Sequence, residues 1–553
     1  MSIKLVIVGG VASGASTATR ARRLNEHAEI ILFERGEFIS FANCGLPYYI
    51  GKQIKERGQL LVTTPEQLIN RFNVDVRTFS EVSSIDRFNK TVTVKDHINN
   101  VSYREIYDKL VLCPGGRPIK PPLTGIELDT VFSLWTIPDS DRMKAYINRN
   151  KPRSAVVIGG GFIGLEMAEN LVANGIEVTL VEMLDHLLPP LDEEMASIVQ
   201  NYVSKKGCHL HLSDAVSSFH KMEGRTMVVT GNGDEIQCDM VILSIGVQPN
   251  NELAKNAGLE LGERGGIKTN EHMQTSDPDI FAAGDVVEVT DFISGKPAMI
   301  PLAGPANKQG RIVADNIFGR SSVYKGTQGS AMIRIFNMTV GLTGNNEMSL
   351  KRNGIPYLVS FTQSFSHAFY YPGAAMMNIK LIFSPDDGKI LGCQIVGIKG
   401  VDKRIDVMAT AIRAGMTVFD LEELELTYAP PYSSAKDPVN MAGYVASNIL
   451  RKDMETINWN EIGSLDMDKF VLLDVRDRYE MEMEAPIEGA IHIPVNKLRS
   501  KLSELDKDKT YIIYCAIGQR GYVAYRILAQ RGFKCRNLSG GYYLYDAAKM
   551  ILT

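Results

Sequence analysis

An α/β fold with two dinucleotide-binding domains is predicted by two glycine-rich turns and by the acidic residue that follows each of them. The turns lie in KLVIVGGVASGAS (4–16) and SAVVIGGGFIGLEMAE (154–169), each between an apolar run and a helical stretch. The next apolar runs, IILFER and VTLVEM, carry Glu34 and Glu182 near their ends. Such turns present backbone amides to a pyrophosphate, and the carboxylate accepts hydrogen bonds from a ribose. The chain is therefore expected to bind two dinucleotides.

The two turns match the dinucleotide fingerprint to different degrees. All three glycines of G-x-G-x-x-G are present in the second turn, at Gly159, Gly161 and Gly164. The first turn keeps the outer glycines, Gly9 and Gly14, but has Val11 at the middle position. Taken alone, the first turn is equally compatible with a tight strand-to-helix connection that binds nothing.

A later segment favours a flavin at the first turn. In TSDPDIFAAGDV (275–286) a short apolar run ends at Gly284 and Asp285. This pattern resembles the second flavin motif of reductases that bind two dinucleotides, in which the aspartate contacts the ribitol. VILSIGVQPNNEL (241–253) resembles the return from their nicotinamide domain. FAD and NADH are therefore the expected cofactors.

Composition excludes several other classes of protein. The 553 residues carry a formal net charge of −4, so neither nucleic acid nor an anionic membrane is an expected partner. No apolar run reaches the roughly 18 residues of a membrane span, and no signal peptide is expected before the first strand. The seven cysteines are irregularly spaced and form no C-x-x-C pair, which indicates reduced thiols in the cytoplasm and no metal site.

Shifts in sequence texture predict four domains. The alternating pattern after residue 326 and the helical segment DKRIDVMATAIRAG (402–415) indicate an α+β dimerisation domain. Polar residues 451–464 are expected to link it to a last α/β domain. The predicted boundaries are 1–115 with 245–320 for the FAD-binding domain, 116–244 for the NAD(P)H-binding domain, 321–450 for dimerisation and 456–553 for the last domain.

A cysteine close to the first nucleotide fold is the candidate nucleophile. Cys44 lies in FISFANCGLPYYI (38–50), where a helix is expected to begin, and helix amides can lower a thiol pKa to roughly 3.5–7.5. A buried structural role is the usual alternative for a free cysteine. Tyr48 occupies the position where a dithiol reductase has its second cysteine. The oxidised thiol is then a mixed disulfide, a persulfide or a sulfenic acid, and the substrate a small disulfide or persulfide, a peroxide or oxygen.

These motifs, together with GVDKRIDVM and LTYAPPYSSAKDPVN (426–440), resemble the single-cysteine flavin reductases over about residues 1–450. The resemblance is strongest to the coenzyme A-disulfide reductases. The related peroxidases and oxidases usually have a histidine in the first glycine loop, where this chain has Val11, Ala12 and Ser13. The resemblance therefore favours sulfur over peroxide or oxygen as the substrate.

The same resemblance implies a set of site residues. Tyr370 and Tyr428 are expected to reach the thiol from the partner subunit of a homodimer, whereas Tyr371 and Tyr432 are expected to pack at the interface. Arg22 is expected on a solvated face. The residues expected to line a coenzyme A tunnel are Ser16, Arg20, Arg23, Ser40 and Asn43. The residues expected to bind FAD or NADH are Gly9, Gly10, Val11, Ala12, Ser13, Gly14, Ala15, Glu34, Arg35, Asn43, Val82, Pro114, Gly115, Asp285, Leu302, Gly159, Gly161, Gly164 and Glu182.

The last domain carries a second candidate cysteine. Cys515 ends a predicted strand in YCAIGQRG, and LLDVRDRYE, EGAIHIP and NLSGGY accompany it. Together these segments resemble the rhodanese sulfurtransferases, with Asp474 and Arg476 as a structural ion pair. A six-residue loop from Cys515 can direct its amides at a thiolate or persulfide, and Arg520 could pair with an anionic sulfur donor. The remaining loop residues are Ala516, Ile517, Gly518 and Gln519.

The combined motifs predict an NADH-dependent flavin reductase of coenzyme A disulfide, coenzyme A persulfide or polysulfide. Coenzyme A is expected as substrate or as a tightly bound ligand, and Cys515 is expected to act upstream of Cys44. NADH is favoured over NADPH because the carboxylate of Glu182 would repel a 2′-phosphate. Two alternatives stay open: an NADH oxidase or peroxidase that forms a cysteine sulfenate, and a non-catalytic redox sensor or sulfur carrier.

Overall fold

The computed structural model describes residues 3–549, which fall into two compact units. One unit runs to Met183 and resumes over Gly207–Gly329; the other comprises Leu184–Lys206 and the chain from Ser330 onward. Within residues 3–549, no helix combines the length and the apolar character that crossing a membrane requires.

Two parallel five-stranded sheets dominate the first unit, in agreement with the sequence. Strands such as KLVIV and SAVVI are continuous apolar runs because both faces of a parallel sheet are covered. Across the first sheet the strands are Ile280–Ala282, Lys109–Leu112, Lys4–Val8, Glu29–Phe33 and Asp75–Arg77. Across the second sheet they are Cys208–His211, Glu177–Val181, Ser154–Ile158, Met240–Leu243 and Val131–Phe132.

Helices and small antiparallel sheets complete this unit. Its α-helices are Ser13–Leu24, Leu46–Ile50, Pro65–Phe72, Ile137–Asn150, Phe162–Ala173, Glu252–Asn256 and Ala303–Ile317, and its 3-10 helices are Asn43–Gly45 and Arg57–Leu60. Its short strands are Ser80–Asp86, Thr91–Asp96, Val101–Ile106, Gly116–Pro118, Val216–Met222, Arg225–Thr230, Glu235–Cys238, Val247–Pro249, Ile267–Lys268, Val287–Thr290 and Pro297–Ala298. The helices after the central strands begin at the carboxyl edge of each parallel sheet, where ligands of such folds bind.

The second unit contains one antiparallel and one parallel sheet. The antiparallel strands are, in order across the sheet, Ala331–Ile335, Met338–Gly344, Ile390–Gly397, Met376–Phe383 and Leu358–Phe365. The parallel strands are Thr456–Ile457, Lys534–Leu538, Thr510–Tyr514, Phe470–Asp474 and Ile491–His492. The helices are Glu193–Lys205, Glu347–Asn353, Val401–Ala414, Val418–Glu423, Pro438–Leu450, Arg478–Met483, Val495–Leu498, Gln519–Ala529 and Gly541–Lys549, with 3-10 helices at Trp459–Ser464 and Leu502–Glu504.

The linker predicted over 451–464 is wrong for most of its length. Met454 is buried in the core of the last sheet, and Ile457 pairs with Leu538 within that sheet. Trp459 is buried as well, although the segment around it is polar. Val445 and Ile449, on the preceding helix, pack against the same core. Apolar residues spaced among polar ones thus attach the last domain firmly to that helix.

A buried lysine cluster stabilises the antiparallel sheet. Lys380 is fully buried; its Nζ lies 2.8 Å from Asp192 and 2.5 Å from Glu347 and also contacts Glu194. Gln394 Nε2 donates to Asp192 at 2.7 Å. Because two of the carboxylates stand at the start of helix Glu193–Lys205, the cluster ties that helix to the sheet.

Candidate active site

Both glycine-rich turns have the close packing that a dinucleotide fold requires. A Cβ at Gly14 would lie 1.8 Å from the carbonyl oxygen of Gly9, and a Cβ at Gly164 would lie 1.9 Å from that of Gly159. Only glycine fits at either position. A Cβ at Gly161 would instead meet no neighbouring atom within 4 Å, so this side of the second turn is open to an approaching ligand.

The acidic residue after each turn is held by a turn amide. Gly10 N–H donates to Glu34 Oε2 at 3.0 Å, and Gly160 N–H donates to Glu182 Oε2 at 2.6 Å. Gly36 N–H donates to the other Glu34 oxygen at 3.0 Å. Carboxylate oxygens accept more than one hydrogen bond, so each can still receive a ribose hydroxyl. The first turn reproduces the geometry of the second despite Val11.

Asp285 lies beside the first turn. Ser13 Oγ, at the start of helix Ser13–Leu24, donates to the carbonyl of Ala283 at 3.1 Å, and Gln309 accepts from Gly284 N–H at 2.7 Å. Burial raises the pKa of Asp285, and no described residue donates a hydrogen bond to its carboxylate. An enclosed carboxylate without such a donor fits a site that receives sugar hydroxyls from a ligand.

The other predicted FAD contacts also lie in the first unit, with mixed exposure. Pro114 and Gly115 are fixed by Asn250, whose side chain donates to the Pro114 carbonyl at 2.8 Å and whose N–H donates to Gly115 at 2.9 Å. Val82 is buried and Arg35 is exposed. The half-buried ones are Val11, Ala12, Asn43 and Leu302.

Cys44 differs from the other cysteines of the chain by its exposure. The other six are buried. Cys44 sits in the 3-10 turn Asn43–Gly45, directly before the five-residue helix Leu46–Ile50. Cys44 is accessible to solvent, but protein atoms surround part of its thiol. This partial burial, followed by the charges of Glu166 and Asp285, raises the pKa of Cys44. The predicted lowering of this pKa is therefore wrong for the protein itself, because one short helix is outweighed by burial and two carboxylates.

Glu166 and Tyr48 belong to this neighbourhood, and the sequence did not single them out as a pair. Tyr48 Oη donates to Glu166 Oε1 at 3.1 Å. Burial raises the pKa of Glu166 to about 7, although the Tyr48 hydrogen bond lowers it. The available signal was the place of Glu166 in the helix of the second turn, two residues after Gly164. A carboxyl that titrates near neutral pH beside a thiol is suited to proton transfer.

Glu166→Gln is expected to lower the pKa of the Cys44 thiol, because it removes a negative charge that opposes the thiolate. The pH dependence of Cys44 alkylation in the reduced, FAD-loaded protein measures this pKa. Glu177→Gln, at an exposed position of the strand that follows the helix of Glu166, is the control and should leave the pKa unchanged. An unchanged or higher pKa in Glu166→Gln would contradict the assigned neighbourhood.

The residues expected to contact coenzyme A are partly engaged with protein groups. Arg20 forms an ion pair with Asp315 (2.6 Å), and Ser16 Oγ donates to Asn307 at 2.5 Å. Arg23 is exposed and follows Arg20 by one helical turn, so both can lie on one face.

Two further residues of that neighbourhood have distinct environments. Ser40 has a φ of 44° and donates its N–H to the Gly10 carbonyl at 3.0 Å. The expectation that Arg22 is solvated is wrong. Its guanidinium is buried and donates to backbone carbonyls, including Phe72 and Asn73 at 2.8 Å.

In the second unit the two predicted tyrosines contact each other. Tyr370 Oη and Tyr428 Oη are 2.8 Å apart, and both rings are exposed. The hydrogen bond with Tyr370 raises the pKa of Tyr428. Tyr371 and Tyr432 are exposed as well. The structure therefore presents a paired phenol within an exposed aromatic surface.

Cys515 lies at the end of strand Thr510–Tyr514 with its sulfur directed at backbone amides. Gly518 N–H and Gly521 N–H donate to Sγ at 3.1 and 3.3 Å. The predicted amide loop is thus present, although its second donor lies one residue beyond Arg520. The other loop residues, Ala516, Ile517 and Gln519, are not among the amides bonded to the sulfur in the described structure.

Arg520 is not available in the way that the sequence suggested. Its guanidinium donates to Asp477 at 3.0 Å and to both carboxylate oxygens of Glu480 at 2.6 Å. The predicted ion pair of Asp474 and Arg476 is present, fully buried, with Nη2 2.8 Å from Oδ2.

Three family models match the chain. "Pyridine nucleotide-disulphide oxidoreductase" covers residues 3–310, its dimerisation domain covers 331–438, and "Rhodanese-like domain" covers 459–548. A coenzyme A disulfide reductase of Staphylococcus epidermidis is 34% identical over 444 residues, which are 80% of this chain and 99% of the relative. An NADH oxidase of Methanocaldococcus jannaschii is 37% identical over 453 residues, 81% of this chain and 99% of the relative.

Solved structures extend the similarity to the last domain. Reduced CoADR-RHD of Bacillus anthracis is 53% identical with a TM-score of 0.97, covering 99% of this chain and 98% of that one. An NAD-dependent persulfide reductase from A. fulgidus is 39% identical with a TM-score of 0.92, covering 98% of this chain and all of the other. The predicted fold and resemblance are confirmed: the chain belongs to the pyridine nucleotide-disulphide oxidoreductase family and carries that family's dimerisation domain and a C-terminal rhodanese-like domain.

Proposed function

We propose that this protein is an NADH-dependent flavin reductase of coenzyme A disulfide, coenzyme A persulfide or polysulfide, with Cys44 as its single redox cysteine. The observation that carries the proposal is that Cys44 is exposed while the other six thiols are buried. Tyr48 stands where a second thiol would close a disulfide, and its hydroxyl is engaged with Glu166. The similarity to a coenzyme A disulfide reductase and to a persulfide reductase supports the choice of substrate.

FAD fits the first nucleotide turn and NADH fits the second. Glu34 and Asp285 would hold the ribose and the ribitol of FAD, and the open side of Gly161 would receive the NADH pyrophosphate. When bound, FAD accepts a hydride from NADH and supplies two electrons to sulfur. The chain's own contribution is to partly bury the Cys44 thiol and to place Glu166 and Asp285 near enough for their charges to raise its pKa.

The chemistry at Cys44 is a thiol–disulfide exchange followed by reduction. The Cys44 thiolate attacks one sulfur of coenzyme A disulfide, a new S–S bond forms, and one coenzyme A leaves as thiolate with the bonding electron pair. Two electrons from NADH then break the mixed disulfide and release the second thiol. With a coenzyme A persulfide, attack at the outer sulfur expels coenzyme A thiolate, and reduction of the Cys44 persulfide releases hydrosulfide.

Tyr370 and Tyr428 are proposed to donate a proton to the leaving thiolate from the partner subunit of a homodimer. The short contact between their hydroxyls and the exposure of both rings support this role.

The proposed coenzyme A contacts are Ser16, Arg20, Arg23, Ser40 and Asn43, with Arg20 exchanging part of its ion pair with Asp315 for phosphate. The sequence-based domain boundaries and a cytoplasmic location are part of the same proposal.

Replacing both phenols, Tyr370→Phe with Tyr428→Phe, is expected to slow sulfur reduction by about 100-fold, because general acid catalysis contributes on this order. Flavin reduction by NADH should keep its rate. Rapid mixing resolves the two half-reactions. Tyr432→Phe, at another exposed ring, is the matched control. If both half-reactions of the double variant match the wild type, the phenols only pack.

NADH is expected to exceed NADPH in kcat/KM by at least about tenfold. Glu182 is buried and fixed by Gly160, so it cannot turn away easily from a 2′-phosphate. Two like charges about 4 Å apart repel by about 4 kcal/mol at an effective dielectric of 20, which rearrangement would reduce. Glu182→Gln should lower the ratio of kcat/KM for NADH to kcat/KM for NADPH. Equal kcat/KM values for the two cofactors in the wild type would refute this role of Glu182.

The alternative function is an NADH oxidase or peroxidase, for which the similarity to an NADH oxidase gives weak support. The two functions differ in the product at Cys44. NADH consumption with coenzyme A disulfide or persulfide under anaerobic conditions supports the reductase. Peroxide or oxygen turnover at a higher kcat/KM than any sulfur substrate would support the alternative.

A further inference from the structure

We propose that Asp477 and Glu480 make the Cys515 loop selective for sulfane sulfur on an uncharged organic group and selective against thiosulfate. The inference rests on the proposed function together with the role that the rhodanese-like domain implies for Cys515, which is to accept sulfane sulfur. It concerns the donor, about which the sequence offered only a possible pairing with Arg520.

The positive charge of the loop is already neutralised. Arg520 is the one cation in CAIGQR, residues 515–520. The carboxylate of Glu480 accepts a hydrogen bond from each of the two terminal nitrogens of Arg520 at 2.6 Å, and Asp477 accepts a third at 3.0 Å. A bidentate arginine–carboxylate pair uses the donors that would otherwise bind a sulfonate. Thiosulfate would therefore have to break this pair.

The surroundings of Arg520 add negative charge. Arg476 is paired with Asp474, and Glu484 lies 3.7 Å from the same guanidinium. The two arginines thus face four carboxylates, which leaves two negative charges in excess. Burial and then the charges of Glu484 and Glu480 raise the pKa of Tyr543, although Arg476 and Arg520 lower it. The Tyr543 N–H donates to the Ala516 carbonyl at 3.1 Å, which places the backbone of Tyr543 against the Cys515 loop.

Both donors would load Cys515 by the same bond changes. The thiolate attacks the outer sulfur, the S–S bond breaks, and Cys515 becomes a persulfide. From thiosulfate the leaving group is sulfite, which takes the electron pair and brings two negative charges near the carboxylates. From an organic persulfide the leaving group is a thiolate on a carbon chain, with one negative charge at most. The negative region therefore opposes thiosulfate more strongly.

An exposed apolar surface accompanies the acidic groups. Tyr479 and Met483 are 62% and 79% exposed and stand four residues apart on helix Arg478–Met483, so they share a face. This helix also carries Glu480. A carbon chain on the donor could contact that face, whereas sulfite has no group for it.

The test compares loading of Cys515 in the full-length, FAD-loaded protein by thiosulfate and by pantetheine persulfide. Rapid quenching, alkylation and mass spectrometry give the rate of persulfide formation, with Cys515→Ala as the blank. We expect pantetheine persulfide to load the wild type at least about tenfold faster. In Glu480→Gln the ratio of the thiosulfate rate to the pantetheine persulfide rate should rise about tenfold. Raising the ionic strength should bring the two rates of the wild type closer together, because salt screens the repulsion of thiosulfate.

The variants are chosen to keep the fold, so that the donor preference can still be measured. Glutamine at 480 still accepts from the Asp477 N–H that caps the helix at 2.9 Å, and Asp477→Asn provides a second route to the same change. Glu504→Gln, which alters an exposed pair with Lys501, should leave the ratio unchanged. A wild type that loads equally from both donors, or variants with native circular dichroism and an unchanged ratio, would overturn the proposal.

Two measurements distinguish a failure of this inference from a failure of the proposed function. NADH-dependent reduction of coenzyme A disulfide depends on Cys44 and is measured in the same preparation. Its absence, with the donor preference intact, would overturn the reductase function alone. A Cys515 that accepts sulfur from neither donor would overturn the role of the loop and with it the donor preference.

Discussion

Cys44→Ser is expected to abolish NADH-dependent reduction of coenzyme A disulfide and persulfide, with a loss in kcat of at least about 1,000-fold. A serine hydroxyl can form no disulfide. Cys44 is the exposed cysteine of the chain, and Cys515 is assigned to loading sulfur, not to exchange of electrons with FAD. The variant should retain FAD, because the turn at Gly9–Gly14 and the carboxylates of Glu34 and Asp285 are unchanged.

The matched control is Cys208→Ala, which removes a buried thiol from a strand of the neighbouring sheet. It should reduce coenzyme A disulfide at the wild-type rate. The assay is steady-state NADH oxidation without oxygen, at equal flavin content. Retention of more than a few per cent of turnover in Cys44→Ser would remove this thiol from the mechanism.

Lys380→Met is expected to destabilise the antiparallel sheet by about 3–5 kcal/mol, because it leaves buried carboxylates without their cation. Burial alone would lower the pKa of Lys380, but Glu194, Asp192 and Glu347 raise it, so the lysine is charged throughout the physiological range. Lys351→Met is a close control: it removes an exposed lysine 3.7 Å from the same Glu347 and should change stability by no more than about 0.5 kcal/mol.

Hydrogen exchange of strand Met376–Phe383 measures this effect locally, which suits a chain of several domains. Burial would raise the pKa of Glu347, but Lys380 lowers it, so its stabilising contribution is present above the usual carboxyl pKa and is lost as the pH falls through the lowered value. The protection of this strand, expressed relative to intrinsic amide exchange at each pH, should therefore fall in acid in the wild type. Equal exchange rates in Lys380→Met and Lys351→Met would contradict the role of the cluster.

The parts of the fold that could be predicted are those encoded by short sequence patterns. Apolar runs ending in glycine predict both nucleotide turns, and the helix expected over 402–415 is observed at Val401–Ala414. The burial of Met454 and Trp459 could not be predicted from such patterns. Each stands among polar neighbours, and its burial depends on a sheet formed by residues far along the chain.

The site was less predictable because its charges come from distant segments. Glu166 approaches Cys44 from the second nucleotide fold, 122 residues later in the chain. Arg22 and Arg520 are basic in the sequence, but carbonyls bind the first and two carboxylates bind the second. The sequence shows that a charged side chain is present, whereas the fold shows which groups bind it.

A mixed disulfide between Cys44 and coenzyme A is the intermediate that the account requires. The reduced protein is mixed with one equivalent of coenzyme A disulfide, quenched with acid and digested, and each cysteine peptide is examined by mass spectrometry. We predict one coenzyme A per chain, on the peptide that contains Cys44, and its loss when NADH is added. Coenzyme A on another cysteine, or its absence from Cys44 while NADH is still consumed, would contradict the account.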